Sequence, residues 1–276
     1  MSTVVVTGAT GTLGREVVTR LLARQHRTLI LTQQASPSTP HGVETVFGYL
    51  ASGRGVREAV AGVDAIIHCA TSVERVQQVD VEGTRALLQA AYASGSPHIV
   101  YISIVGVDRT AYFYYQGKYE TELLIEQGPL PWTIVRTTQF HPLVLQIIRS
   151  LGADTLPEVP VPAGVRFQSI DAGEVADGLV SFMEQGPAGH APDMGGPQVL
   201  TVEEMTEAYL RIRGRKATVS ARALPGDRFD AFRSGINLAP NHAVGAVTWE
   251  AFLRHLYGIG NTDFGFTSSE NKEVAL

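Results

Sequence analysis

A glycine-rich segment near the N-terminus constrains this chain more than any other feature. Gly8, Gly11 and Gly14 follow a β-branched run at residues 3–7, and apolar residues at helical spacing begin at Val17. A strand that turns through glycines into a helix presents free backbone N–H groups and the positive end of the helix dipole. Gly8 would permit the tight turn, Gly11 a close approach to phosphate, and Gly14 close helix–sheet packing. An ordinary turn is the alternative, but the strand-to-helix context favours a dinucleotide-binding loop.

Strand and helix patterns alternate through the first 140 residues. Beyond the first strand, apolar runs predict strands at residues 29–31, 43–47, 65–67, 98–102 and 132–135, and helical spacing predicts helices at residues 15–25, 56–61, 81–93 and 115–127. Alternation of this kind is typical of parallel strands joined by right-handed crossovers. The predicted fold class is therefore α/β, a Rossmann-type doubly wound parallel sheet.

The regular alternation of strand and helix patterns ends after residue 140. Pro157, Pro160 and Pro162 are expected to interrupt the chain, helical patterns return at residues 172–184 and 202–213, and a short strand is predicted at residues 217–220. We predict a dinucleotide-binding domain at 1–140 and a small C-terminal substrate lobe at 141–260, interleaved with the sheet edge. The polar tail at 261–276 is expected to be loosely ordered or to serve a subunit contact.

Composition narrows the classes of partner. The chain has 276 residues, a hydrophobic fraction of 44% and a net charge of -5, which favours a small-molecule ligand over nucleic acid or a membrane. Cys69 is the single cysteine, and the N-terminus enters a strand pattern without a leader, so we expect a cytoplasmic protein without disulfides. None of the eight histidines has a paired ligand spacing, so no metal site is predicted.

Several segments together resemble a known family. The loop has the spacing G-x-x-G-x-x-G, and Tyr114 and Lys118 have the spacing Tyr-x-x-x-Lys. The other matching segments are Asp80-Val81-Glu82-Gly83-Thr84, Val100-Tyr101-Ile102-Ser103 and Leu130-Pro131-Trp132-Thr133-Ile134-Val135-Arg136. The chain thus resembles the atypical branch of the short-chain dehydrogenase/reductase superfamily, and within it the NmrA-like NAD(P)-binding proteins.

The resemblance implies a cofactor, NAD or NADP, and the residues that would contact it. Where NADP-dependent members commonly carry an arginine after the second strand, this chain has Gln33, which favours NAD; Tyr49 replaces an acidic residue expected near the adenine. The implied cofactor contacts are Gly8, Thr10, Gly11, Thr12, Leu13, Gly14, Gln33, Cys69, Ala70, Thr71, Ser103, Lys118 and Thr138.

The resemblance also implies catalytic roles. Tyr114 would be the general acid or base, Lys118 would lower the pKa of Tyr114 and hold the ribose, and Ser103 would polarise the substrate. The positions that align most directly with the family hydroxyl are the apolar Ile104 and Val105. In the alternative interpretation, Tyr114 belongs to an aromatic packing surface and Lys118 forms an exposed helix pair with Glu122.

Residues after the sixth strand fall where relatives begin the substrate pocket. Phe140, His141 and Phe113 are the substrate-side candidates, although a lone histidine is more often structural. The first hypothesis is an oxidoreductase that acts on an apolar carbonyl, a quinone or an aromatic polyketide-like molecule. The alternatives are a non-catalytic dinucleotide sensor or regulator and a nucleotide-sugar epimerase or dehydratase. The resemblance is also compatible with a homodimer.

Overall fold

The computed structural model describes residues 1–223 and 226–259. A seven-stranded sheet dominates this part of the chain, with the order β3-β2-β1-β4-β5-β6-β9 and parallel pairing throughout. Its strands are β1 (Thr3–Thr7), β2 (Arg27–Thr32), β3 (Val43–Phe47), β4 (Ala65–His68), β5 (His98–Ile104), β6 (Trp132–Thr137) and β9 (Gly189–His190). The predicted Rossmann-type doubly wound sheet is confirmed.

Helices cover both faces of this sheet. One face carries α1 (Thr12–Ala23) and α6 (Ala172–Gln185), and the other carries α2 (Val56–Ala59), α3 (Gly83–Tyr92) and α4 (Phe113–Glu126). Strands β1, β2, β4, β5 and β6 are largely buried on both sides, which explains why they read as mainly apolar runs, whereas β3 is half-buried to exposed. None of the helices in the described ranges is long and apolar enough to cross a membrane.

The strand order reverses between β1 and β4. Strands lead outward from β1 to β3 in one direction and from β4 to β9 in the other. Loops that leave adjacent strands in opposite directions open a crevice at the carboxyl edge of the sheet, and ligands of such folds bind there. The glycine loop after β1 and the segment after β4 flank this crevice.

The region after residue 140 forms two small sheets and further helices, and it also returns to the main sheet. Two small sheets pair β7 (Glu158–Pro162) with β11 (Thr218–Arg222) and β8 (Arg166–Phe167) with β10 (Leu200–Thr201). The other helices are α5 (His141–Ser150), α7 (Val202–Ile212), α8 (Asp227–Arg233) and α9 (Trp249–Leu256). Their apolar side chains form a cluster together with Val107 and Tyr115 from the first part of the chain, whereas α6 packs on the main sheet and β9 extends it. The division at residue 140 stays a prediction, and the tail at 261–276 lies outside the described residues.

Two of the three prolines do not interrupt the chain as expected, whereas Pro157 lies in the bend before β7. Pro160 and Pro162 lie inside β7, which pairs in parallel with β11 over its whole length. Among the described residues β11 is the only strand beside β7, so β7 has a free edge in that sheet. Proline lacks a backbone N–H and is tolerated in edge strands, where no ladder bond is lost.

Four predicted helices differ in their bounds by two residues or more, and one of them, predicted at 115–127, spans Phe113–Glu126. The first begins at Thr12 and not at residue 15, and it ends when Gln25 takes a φ of 61°. The helix predicted at 56–61 is only four residues long, and Gly62 turns the chain with a φ of 66°. The helix predicted at 81–93 is preceded by a π-helix, Gln77–Glu82, whose wider turn takes its side chains out of register with the α-helical period.

Candidate functional site

The glycine loop joins β1 to α1 and forms one wall of the crevice. Gly8 has a φ of 68°, and a Cβ there would lie 2.6 Å from the backbone nitrogen of Ala70. A Cβ on Gly14 would overlap the carbonyl oxygen of Gly8, so this glycine allows the loop to close on itself rather than the helix to approach the sheet. Gly11 has only that oxygen nearby, at 3.3 Å. Two glycines are therefore required sterically, and the third leaves the loop open on its outer side.

The N-terminus of α1 is available to an anion. Gly11 is the N-cap residue, and within the described residues no side chain caps this end and no acidic side chain lies in its first turn. The orphan N–H groups and the helix dipole at such an end favour phosphate. The loop and the helix end together fit the diphosphate of a dinucleotide.

A cleft of about 660 Å³ runs from this loop across the carboxyl edge of the sheet. Its volume is within the range of small-molecule and cofactor sites. Fifteen of the predicted site residues line it: Gly8, Thr10, Gly11, Thr12, Leu13, Gly14, Gln33, Cys69, Ala70, Thr71, Ser103, Tyr114, Lys118, Thr138 and Phe140. The structure brings these residues together, and their contacts with a cofactor stay a prediction.

Two predicted substrate residues need correction. Both ring nitrogens of His141 are bound within the protein, Nδ1 to the Ser169 hydroxyl at 2.8 Å and Nε2 to the Val247 carbonyl at 3.0 Å. Its ring is fully buried and stacks on Phe252 at 5.1 Å. Burial lowers the pKa of His141, as expected for a neutral structural histidine. Phe113 is 56% exposed at the start of α4, and neither residue lines the cleft.

Tyr114 and Lys118 both lie in α4 and face the cleft. The helix begins at Phe113, early enough to place them one turn apart. The Lys118 ammonium is buried, donates to the carbonyl of Ile102 at 2.9 Å and lies 4.2 Å from the centre of the Tyr101 ring. The alternative that Lys118 is an exposed partner of Glu122 is wrong, because Glu122 binds Arg136 through both carboxylate oxygens, at 2.9 and 2.6 Å.

The pKa shifts of Tyr114 and Lys118 differ from those that the resemblance implies. Burial raises the pKa of Tyr114, and the charge of Asp80 raises it further, so Tyr114 is a neutral phenol. Burial also lowers the pKa of Lys118, although the Asp80 carboxylate at 3.7 Å favours the charged ammonium and acts in the other direction. The expected lowering of the Tyr114 pKa by Lys118 is therefore not seen, since the lysine is shared with a carboxylate.

Asp80 is the principal residue that sequence reasoning missed. It lies in the π-helix, is fully inaccessible to solvent, and accepts hydrogen bonds from the Thr71 hydroxyl at 2.7 Å and the Ser72 amide at 3.0 Å. The sequence contained it only as part of a matched helical motif. A carboxylate that becomes buried through contacts with distant residues gives no local signal.

Ser103 provides an unsatisfied hydroxyl in the same cleft. It ends a buried stretch of β5, is 1% exposed, and its Oγ has no hydrogen-bond partner among the described residues. A buried unpaired hydroxyl costs free energy unless a ligand satisfies it. Ile104 also lines the cleft, whereas Val105 is buried away from it.

The rim of the cleft is apolar. Val73 and Leu143 are 47% and 45% exposed, and both line the cleft together with the half-buried Phe140. At the opposite end, the exposed side chains of Gln33 and Gln34 follow β2. The Tyr49 hydroxyl there accepts a hydrogen bond from Arg75 at 2.6 Å. Residues 1–223 and 226–259 contain no group of His, Cys, Asp or Glu side chains placed to hold a metal ion.

Comparison with known proteins gives the family. Residues 8–142 match the model of an NAD(P)H-binding family, which places the loop and strands β2 to β6 in an NAD(P)H-binding domain. A reductase from Streptomyces griseus, named (4-alkanoyl-5-oxo-2,5-dihydrofuran-3-yl)methyl phosphate reductase, is 30% identical over 219 residues, 77% of this chain and 74% of the relative. The chain belongs to the atypical short-chain dehydrogenase/reductase superfamily of NAD(P)-binding proteins.

Further relatives and solved structures extend the likeness. The photosystem II assembly factor Ycf39 of Trieres chinensis is 28% identical over 62% of this chain, which spans 56% of that protein's length. An NADPH-dependent quinone oxidoreductase from Escherichia coli, solved with NADPH, has a TM-score of 0.78 at 18% identity and covers 92% of this chain and 99% of its own. The Citrobacter triphenylmethane reductase has the same TM-score and identity, with 93% and 100% covered. At such identities the solved structures show the fold alone.

Proposed function

We propose that the protein is an NAD(P)-dependent oxidoreductase that reduces an apolar carbonyl compound, a quinone or an aromatic polyketide-like molecule. The observation that carries the proposal is the position of the Tyr114 hydroxyl, the Lys118 ammonium and the unpaired Ser103 hydroxyl in one cleft with the glycine loop. A bound reduced nicotinamide supplies a hydride, and the protein must then position the substrate and deliver a proton.

The side chains of the cleft divide these tasks. The loop and the N-terminus of α1 hold the diphosphate. Ser103 donates its free hydroxyl to the substrate oxygen, and the neutral Tyr114 is in the protonation state that can give up a proton. Lys118 provides a buried positive charge near the developing negative charge.

The apolar rim supports the substrate class. Val73, Leu143 and Phe140 would lose exposed apolar area on contact with a flat hydrophobic ligand. The printed names of relatives point in the same direction, since they describe a reductase of an oxo-dihydrofuran, a quinone oxidoreductase and a reductase of triphenylmethane dyes.

The first experiment is a calorimetric titration with NAD, NADH, NADP and NADPH, followed by turnover of the preferred reduced cofactor against ketones and quinones. We expect binding and cofactor oxidation above background. Replacement of Tyr114 by Phe should lower kcat by about 100-fold and leave cofactor affinity within about twofold, because only the proton donor is lost. A Tyr114→Phe enzyme with wild-type kcat would remove Tyr114 from the mechanism.

A non-catalytic dinucleotide sensor is the second candidate. Ile104 lines the cleft at a position that aligns with a hydroxyl in the family, and one relative is named as an assembly factor. This function requires cofactor binding without turnover and a protein partner whose affinity depends on the bound dinucleotide. Cofactor oxidation by the wild-type protein that Tyr114→Phe abolishes would reject it.

A further inference from the structure

A chain of hydrogen bonds connects the cleft to a buried carboxylate. The Tyr114 hydroxyl lies 2.9 Å from Thr71 Oγ1, and Thr71 Oγ1 lies 2.7 Å from Asp80 Oδ1. Thr71 is exposed to the cleft and Tyr114 is half-buried, whereas Asp80 has no exposed surface. Thr71 is therefore the only described residue that hydrogen-bonds to both Asp80 and Tyr114.

The direction of these bonds depends on the charge of Asp80. A carboxylate only accepts hydrogen bonds, so Thr71 must donate to an ionised Asp80 and must then accept from Tyr114. In this state the phenolic proton points away from the substrate position. When Asp80 carries a proton, Asp80 donates to Thr71, Thr71 donates to Tyr114, and Tyr114 is free to donate to a substrate oxygen.

We propose that Asp80 is a positioning residue that stores the proton for Tyr114 and returns it through the Thr71 hydroxyl. The inference rests on the proposed function, because a proton is consumed only if a carbonyl or quinone is reduced. Neither the cofactor nor the substrate needs to touch Asp80.

The proton transfers balance atom by atom. When hydride from the reduced nicotinamide reaches the substrate carbon, the carbonyl electron pair moves to oxygen and takes the proton of Tyr114. Tyr114 then accepts the proton of Thr71, and Thr71 accepts the proton of Asp80. One O–H bond forms at the substrate, and the O–H bond of Asp80 is lost. Asp80 ends as a carboxylate, and a solvent proton returns to it through the hydroxyl of Thr71, which is exposed to the cleft.

The surroundings of Asp80 suit this exchange. Burial raises the pKa of Asp80 from its usual value, and the facing charge of Lys118 on α4 opposes that rise. The other groups around it are Tyr114 on α4 and Tyr101 on β5, whose own pKa values the Asp80 charge raises, and the Ser72 amide. Glu122 acts on Lys118 and not on Asp80 directly. Burial thus disfavours loss of the proton from Asp80, and the charge of Lys118 stabilises the carboxylate that this loss leaves.

Three variants separate a relay from a structural contact. Thr71→Val keeps the shape of the side chain and removes the hydroxyl, Thr71→Ser keeps the hydroxyl, and Asp80→Asn removes the titrating group. Glu126 lies on the same helix as Tyr114 but pairs with the surface residue His190, so Glu126→Gln is the matched control for loss of a carboxylate. Thr71 is exposed, so its variants test the proposal even if Asp80→Asn fails to fold.

The kinetic result expected is a loss confined to kcat and its pH profile. Wild-type reduction should slow as pH rises through the pKa of Asp80, since the stored proton is then absent. Thr71→Val and Asp80→Asn should lower kcat at least about tenfold with little change in KM and should remove this limb of the profile, whereas Thr71→Ser and Glu126→Gln should keep it. A limb that came from Lys118 would persist in Thr71→Val and would overturn the proposal.

A measurement without cofactor keeps this test separate from the proposed function. Tyrosinate absorbance, taken as the difference between each protein and its Tyr114→Phe counterpart, reports the pKa of Tyr114. We expect Asp80→Asn to lower it and Thr71→Val to raise it, with no change in Glu126→Gln. An unchanged Tyr114 pKa in both variants overturns the relay whether or not the protein turns over. Absence of wild-type turnover with these shifts present rejects the proposed function alone.

Discussion

Gln33 shows how one side chain can set cofactor choice. It lies exposed at the end of β2 and lines the cleft, where it can bond either a ribose hydroxyl or a phosphate through its amide. We propose NAD as the preferred cofactor, because an amide offers no charge to the extra phosphate of NADP. This preference depends on a single exposed position and is therefore open to substitution.

Replacement of Gln33 by Arg should tighten NADP binding about tenfold, since a guanidinium forms charge-assisted bonds with a phosphate. Calorimetric titration measures the effect, and NAD binding to the same variant is the control. Equal gains for NAD and NADP would mean that the arginine acts on the diphosphate or on folding and not on the 2′-phosphate.

At the scale of elements, α4 is held on the sheet by a buried ion pair. Glu122 on α4 has no exposed surface and meets Arg136 on β6, which also binds Asp108 at 3.0 Å. A carboxylate in this position is stable only with its cation, and removal of Glu122 leaves the largely buried Arg136 with the partly exposed Asp108 as its remaining partner. The same helix carries Tyr114 and Lys118, so the pair also fixes the depth of the proposed catalytic groups.

Replacement of Glu122 by Gln should lower the free energy of unfolding by about 3 kcal/mol, which denaturant titration measures. Glu126→Gln, on the same helix with a partly exposed histidine partner, should cost less than about 1 kcal/mol. Similar losses in the two variants would show that Glu122 contributes no more than a surface pair.

For the whole molecule, buried neutral histidines link stability to pH. The ring nitrogens of His68 bind the hydroxyls of Thr7 on β1 and Thr84 on α3, at 2.6 and 2.8 Å. His68 ends β4, beside the point where the strand order of the sheet reverses. Burial lowers its pKa from 6.5 to about 3. Because the unfolded chain takes up this proton first, the contribution of neutral His68 is fully present above about pH 6.5 and is lost as pH falls toward the folded value.

The free energy of unfolding should therefore fall by about 1.4 kcal/mol per pH unit for this one group below about pH 6.5. His68→Gln, whose amide can bond both threonines, should show a shallower decline in denaturant titrations between about pH 7 and pH 5. His98 and His141 also have lowered pKa values, and they contribute equally to the pH dependence of the wild type and of His68→Gln. Parallel declines in the two proteins would exclude His68 as a source of acid sensitivity.

The sequence by itself determined the class of sheet and the position of the loop. Both are local: the central strands are buried on two faces and largely apolar, and Gly8 and Gly14 are required by contacts within a short turn or with its immediate neighbour in the sheet. The grouping of Tyr114, Lys118 and Ser103 in one cleft also follows from the topology, since the segments after β4, β5 and β6 meet at one edge.

Only the tertiary structure decided the environment of the charged and polar groups. Lys118 and Glu122 have the spacing of an exposed helix pair, yet each is buried against a residue of a different element, Asp80 or Arg136. His141 follows β6 like a substrate residue, but Ser169 and Val247 occupy both its nitrogens. Such partners are 14 to 106 residues away in the chain, and spacing within one helix carries no information about them.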